Sequence, residues 1–309
     1  MNDVLNVPRP ETNCWVFFPT SSGATSINEW QTWIKPRNVK FVSFFVIGGG
    51  AGGAGGQATA GTARSGGGGG GSSAYSKGIF QADLLPDILY VQVGSGGLGG
   101  ASATNGNSGS ISYVSVDPTI NTTDVILASG AAAPTFGTSA GLGGNAGTVF
   151  AQTAGFYSYW GIINTTAGQA GAAGGVNTGG GGNSITAANS ITLGGAGGGG
   201  SSTAAVNGAG GSIVATTVTQ ALAGGASGGA NPGQDGIYSM IPSINSGVLT
   251  VPMLFTGGAG GGANGAAGQT GGAGGFGSYG SGGAGGGAGA TAGGRGGDGG
   301  NGIVIINCW

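Results

Sequence analysis

The apolar positions of this chain fall in short runs of β-branched and aromatic residues, and no stretch repeats them at the spacing of an amphipathic helix. "NVKFVSFFVI" (Asn38–Ile47) reads as a strand on that content. "SSAYSKGIFQA" (Ser72–Ala82) reads as a strand of mixed character, followed by a turn ending at Pro86. "DILYVQV" (Asp87–Val93) alternates, with Ile88, Tyr90 and Gln92 on one side and Leu89, Val91 and Val93 on the other. "ISYVSV" (Ile111–Val116) and "DVILA" (Asp124–Ala128) predict two more strands, and "GIVIINCW" (Gly302–Trp309) predicts a closing one. That last strand is expected to return, through Ile303–Ile306, into the sheet formed by the first third of the chain.

Between these strands the pattern gives way to glycine. Blocks at Gly48–Gly56 and Gly66–Gly71 are followed by others near 141–147, 168–182, 194–200, 208–211, 224–229 and 257–302. Polar-apolar connectors join them, among them Thr148–Thr166, Asn183–Leu193, Ser212–Ala223 and Ile237–Phe255. From Gly262 to Gly289 glycine occupies every third position; the beat slips at Ala292 and resumes at Gly293. Collagen uses the same beat but needs proline at the other positions, and "GGAGGFGSYGSGGAGGGAGATAGG" (Gly271–Gly294) has none. Glycine brings no side chain to bury and loses the most backbone freedom on folding, so only near-complete pairing of its amides can hold it in place. Extended helices of three residues per turn make no internal hydrogen bonds and direct their amides outward, toward neighbours. Proline would remove the donor that such packing needs.

The expected fold is therefore mainly β, with essentially no α-helix. A β-sheet or sandwich module (residues 1–128 plus 302–309) is joined to a bundle of packed polyglycine II helices with connecting loops (residues 129–301). The tract from Gly262 to Gly289 would run about 85 Å if straight, against about 50 Å for a compact globule of this length, so it should fold into several legs. The slip at Ala292 is what a turn between legs would leave.

Composition sharpens this picture. Gly (81) and Pro (10) make up about 29% of 309 residues, a share that usually flags disorder. Against that, 39% of the chain is hydrophobic and its formal charge is only −2, whereas disordered chains are apolar-poor and highly charged. Only 5% of residues are charged, and between Val125 and Gly294 the sole charged side chain is Asp235. Seven Lys and Arg without a basic cluster cannot neutralise a run of phosphates, which argues against nucleic-acid binding. With no histidine and two cysteines, neither a catalytic set nor a metal site is read, and no cofactor is expected. The strongest apolar run, Phe41–Ile47, is far shorter than a membrane span requires, and no signal peptide is read at the N-terminus. "GSGGLG" (Gly94–Gly99) fits a dinucleotide fingerprint, but glycine-rich sequences produce that match by chance and no helix pattern follows it. Cys14 and Cys308 stand in matched Asn-Cys-Trp contexts near the two ends; two buried free thiols are preferred to a disulfide, which stays open.

"WIKPRNVKFVSFFVIGGGAGG" (Trp33–Gly53), "GTARSGGGGGGSSAYSKGIFQADLLPDILYVQVGSGGLGG" (Gly61–Gly100) and "GGDGGNGIVIINCW" (Gly296–Trp309) resemble glycine-rich virion proteins of tailed bacteriophages. The middle of the chain is more loosely similar to the glycine-rich tips of phage tail-fibre adhesins. That resemblance implies a virion surface protein, assembled in the host cytoplasm, that sits at a fibre or tail tip and binds the host envelope through loops on a rigid frame. It implies other virion proteins as partners of the β module and a host surface protein or polysaccharide as the target, without membrane insertion. It leaves open a homotrimer or a cap on a trimeric fibre. Two alternatives stand beside it: a purely structural head-fibre or decoration protein, and an ice-binding protein of the Gly-x-x kind.

The residues suggest where contact would be made. Tyr and Trp give rigid area with a polar handle. "GFYSYWGIINTT" (Gly155–Thr166) gathers Phe156, Tyr157, Tyr159 and Trp160, Ile237–Phe255 carries Tyr238 and Met240, and the glycine tract is interrupted by Phe276 and Tyr279. Each set has an ordinary reading as well: an aromatic plug between layers, a packed hairpin, or a seal on the edge of the bundle.

Overall fold

The structure, a computed structural model, describes residues 14–21, 28–58, 63–121, 123–130, 132–150, 161–186, 190–202, 206–214, 221–240, 243–245, 248–250 and 253–309. In chain order the strands are β1 (Cys14–Phe17), β2 (Gln31–Ile34), β3 (Phe41–Ile47), β4 (Tyr75–Gln81), β5 (Ile88–Gln92), β6 (Tyr113–Ser115), β7 (Val125–Ala128) and β8 (Gly161–Thr166). Short strands follow: β9 (Ile185–Thr186), β10 (Ile213–Val214), β11 (Tyr238–Met240), β12 (Ser243–Asn245), β13 (Val248–Thr250) and β14 (Met253–Phe255), before the closing β15 (Ile303–Cys308). Among the described residues the only helical element is a 3-10 turn at Ala82–Leu84.

Two antiparallel sheets face each other, in the orders β1-β15-β3-β4-β8 and β2-β5-β6-β7. The alternation along β3 explains why. Val42, Phe44 and Val46 point into the space between the sheets, where they meet Trp33, Leu89, Val91, Ile126, Leu127, Val304 and Ile306. Trp33 sits edge-on to Trp15 at 5.8 Å and to Phe44 at 6.5 Å. The opposite face of β3 presents Phe45 and Ile47, which are covered by Tyr75, Phe255 and Ile303.

The closing strand lies in the N-terminal sheet as expected, with Ile303–Cys308 paired to Ile47–Val42. Three strands of the two main sheets do not stand out in the sequence. β1 and β2 are four-residue strands in a stretch rich in tryptophan, too short for their alternation to show. β8 pairs with Phe80–Tyr75 as the edge of the five-stranded sheet, although its residues read as part of a connector in the glycine-rich segment.

The cysteines differ from expectation in one respect. Both are free, but only Cys308 is buried while Cys14 is exposed. Cys14 stands opposite Asn307, so Cys308, one residue on, faces the other side of the sheet. Burial, with Cys14 nearby, pushes the Cys308 thiol up to about 11. A thiol reagent at pH 8 should therefore label one cysteine per native molecule, Cys14, and a second only after denaturation; peptide mapping identifies which.

The glycine runs are not strands, yet almost every amide in them is spent on a neighbouring run. In residues 48–57 the bonds follow a cycle of three. Gly49, Gly52 and Gly55 donate to Ser110, Asn107 and Thr104; Gly50, Gly53 and Gly56 to Gly300, Gly297 and Gly294; Ala51, Ala54 and Gln57 to Gly71, Gly68 and Ser65. The carbonyls of the same run accept from Gly97, Gly100 and Ala103, from Gly283, Gly286 and Gly289, and from Gly137. One run thus gives to three neighbours and takes from three others. Residues 281–289 repeat the arrangement: they donate to 193–199, 51–57 and 272–275 and accept from 258–264, 294–300 and 67–70. Runs on both sides of residue 128 share one network.

Close approach dictates the residue type. A Cβ on Gly50, Gly53 or Gly56 would lie closer than 3.0 Å to the backbone of Ser281, Ala284 or Gly287. The third position of the cycle has room for a methyl group, filled by fully buried Ala51 and Ala54. Where runs meet strands, a belt of buried hydroxyls closes the remaining bonds. Ser72 Oγ donates to Thr192 O (3.0 Å), Thr192 Oγ1 to Ser73 O (2.7 Å), Ser281 Oγ to Phe255 O (2.7 Å) and Ser112 Oγ to Ile47 O (2.7 Å).

Candidate binding surface

The runs share an orientation that creates two ends. Run 48–57 begins where β3 stops, run 94–100 leaves β5, and runs 66–71 and 293–302 lead into β4 and β15. The far ends of the runs therefore lie together, away from the sheets. Gly55 and Gly56, at the far end of the first run, bond Thr104 and Gly294, and Gln57 bonds Ser65. The turns that join runs there include Ala101–Thr104, Ser139–Leu142, Val176–Gly179 and Asn264–Thr270, and beside them Ser201 and Ser202 pair with Asn207 and Val206.

These turns are polar or small, with three exceptions. Leu142 is 66% exposed, Val176 60% and Val206 57%. They stand on adjacent turns: Gly174 N donates to Gly141 O (2.8 Å), Gly175 N to Gly198 O (2.7 Å), and a Cβ on Gly179 would touch the Val206 side chain. A backbone frame beneath fixes the turns without using any of these side chains.

At the other end, the sheet termini expose Ile34 and Ile88, paired across β2 and β5, together with Phe41, stacked on Trp309 at 5.9 Å. On the outer face of the five-stranded sheet, Ile79 and the 79%-exposed Ile162 are cross-strand neighbours. Charged side chains also stand near this end; Lys35 Nζ donates to Ala82 O and Leu85 O and pairs with Asp87 at 3.3 Å. The glycine region keeps a few. Asp298 Oδ1 accepts from Gly99 N (2.7 Å) and from the Arg295 guanidinium, and Asp235 Oδ1 accepts from Phe276 N (2.8 Å). In both cases a carboxylate serves to fasten a run.

Of the aromatic candidates, the described side chains of Phe276 and Tyr279 do not lie at the tips. Phe156, Tyr157, Tyr159 and Trp160 lie outside the described residues. Tyr238 and Met240 belong to β11, which pairs with β14 beside the sheet. Tyr279 packs on Phe255 at 5.8 Å and Phe18 at 6.1 Å, at the sheet end of the bundle. Phe276 is 45% exposed, on a run returning toward the sheet. Leu142, Val176 and Val206 escape a reading from sequence. Their one signal is a lone large apolar residue within "AGLGG", "GGVNTGG" and "AAVNG".

The glycine-run motif "GSGGLG" is part of the same frame: the amides of Gly94, Gly96, Gly97 and Gly99 donate to Ser112 Oγ, Asn301 Oδ1, Gly50 O and Asp298 Oδ1. Among the described residues no His/Cys/Asp/Glu group of three could hold a metal ion, and no helix is long and apolar enough to cross a membrane. A family model described as a glycine-rich domain matches residues 25–148, which span β2–β7 and the first glycine runs. No curated protein matches the sequence. The match, under half of the length, supports a glycine-rich protein of mainly β structure.

Proposed function

We propose that this protein is a phage virion surface protein whose β module docks on other virion proteins and whose glycine bundle presents its far turns to the host envelope. The carrying observation is the polarity of the bundle: a frame bonded mainly through its backbone, with many turns gathered at one end and the sheets at the other. We read the runs themselves as polyglycine II helices, on their three-residue bonding cycle. A turn held in place loses little freedom on contact, so modest side chains suffice for binding. A frame with few charges also binds independently of ionic strength.

The test replaces Leu142, Val176 and Val206 together with Asp. Labelled protein is titrated onto a panel of bacterial strains to find one that the wild type binds. On that strain the triple variant should keep its thermal unfolding profile and lose about tenfold or more in affinity. Wild-type binding by the folded variant removes these turns from the contact surface. Binding to no strain counts against the adhesin reading as a whole.

A further inference from the structure

Four glycines of this protein follow an asparagine: Asn105-Gly106, Asn207-Gly208, Asn264-Gly265 and Asn301-Gly302. The dipeptide is chemically labile, because glycine offers no side chain to hinder attack by its own backbone nitrogen. That nitrogen bonds to the asparagine Cγ, the bond from Cγ to the amide Nδ2 breaks, and ammonia leaves with the transferred proton. Water then opens the resulting succinimide to aspartate or isoaspartate. The reaction needs the asparagine amide to swing onto the next peptide and the glycine N–H to be free.

In all four pairs both requirements are blocked. Asn105 Oδ1 accepts from Ser139 N (2.9 Å) and Gly106 N donates to Gly137 O (3.3 Å). Asn301 Oδ1 accepts from Gly96 N (2.9 Å) and Gly302 N donates to Gly94 O (2.9 Å). Asn207 Oδ1 accepts from Ser201 Oγ (3.1 Å) while Gly208 N donates to Gly200 O (2.8 Å). The fourth pair depends on the third: Asn264 Oδ1 accepts from Ala266 N (3.3 Å), and Gly265 N donates to Asn207 Oδ1 (2.6 Å). Asn264 is moreover buried.

We infer that the four pairs are latent deamidation sites, kept closed by the glycine frame and opened where a run comes loose. An isoaspartate lengthens the backbone and would end the three-residue cycle at that point, so the damage would be lasting. Asn207 guards a second site 58 residues away in sequence.

The test incubates the full-length protein at pH 8, folded and in guanidinium chloride, and follows each pair by peptide mass mapping. Folded protein should react at least about tenfold more slowly at all four pairs. In Asn207→Ala the Asn264 pair should accelerate by about tenfold, with Asn105 and Asn301 unchanged. Asn207→Asp keeps an acceptor and should leave Asn264 as in the wild type. Equal folded and unfolded rates overturn the inference. So does an Asn264 rate indifferent to Asn207→Ala, or one that rises together with Asn105 and Asn301.

Discussion

Gly53→Ala should lower the melting temperature by on the order of 5 °C, the shift expected for about 3 kcal/mol of overpacking in a protein of this size. Elsewhere such a change is often mildly stabilising, because it restricts the unfolded state. Here the added methyl group would press closer than 3.0 Å on the carbonyl of Ala284. Neither side can yield, since both contacts are backbone and both runs are held by further neighbours. Gly53 N also donates to Gly297 O (2.9 Å), so displacement loosens a second run. Gly181→Ala is the control. Its nearest neighbour would be Ala209 O at 3.4 Å, an ordinary contact, and the position is exposed. That variant should stay within about 1 kcal/mol of the wild type. Equal melting by calorimetry of Gly53→Ala and wild type would mean that the runs do not pack as described.

Amide hydrogen exchange should show the glycine runs to be as solid as the sheets. Residues 48–57, 65–73, 193–200 and 281–289 should exchange at least roughly a thousandfold more slowly than free peptide, at rates close to those of β3 and β15. Ordinary irregular segments exchange fast because their amides face water. Here Gly67, Gly70 and Ser73 donate in turn to Gly286, Gly283 and Gly280, and the intervening amides donate to two other runs. No run can open without breaking bonds to several others, so protection should be shared across the network. Rapid exchange in residues 257–302 would remove the frame on which the proposed function rests.

The long strands are plain in the sequence, because Val42, Phe44 and Val46 alternate over seven residues and Ile303–Ile306 carry the same content. Four-residue strands leave no comparable pattern. Trp15 and Trp33 are conspicuous, but their pairing depends on partners far along in sequence. The three-residue beat points to extended runs without showing where they end. Gly268 and Gly280 explain this. Both keep the beat, and both adopt positive φ (76° and 68°) where the backbone turns. Glycine serves packing and turning alike, so those two turns are invisible in the pattern. The turn at the break near Ala292 is visible, because there the beat itself fails. The exposed trio at the tips is hidden for the opposite reason: aromatic residues carry the stronger binding signal, and of these Tyr279 packs on Phe255 and Phe18 at the sheet end.

The belt of buried hydroxyls settles a problem that polyglycine creates. Slide a glycine run along its axis by three residues and it meets nearly the same carbonyls again, as a thread meets its nut. Backbone bonding alone would leave many alignments almost equal in energy. Ser72, Thr192 and Ser281 bond one another's segments, and Ser112 bonds Ile47, only in a single phase. A handful of hydroxyl groups thereby chooses one alignment among many, and the sheet end becomes the datum from which every far turn is measured.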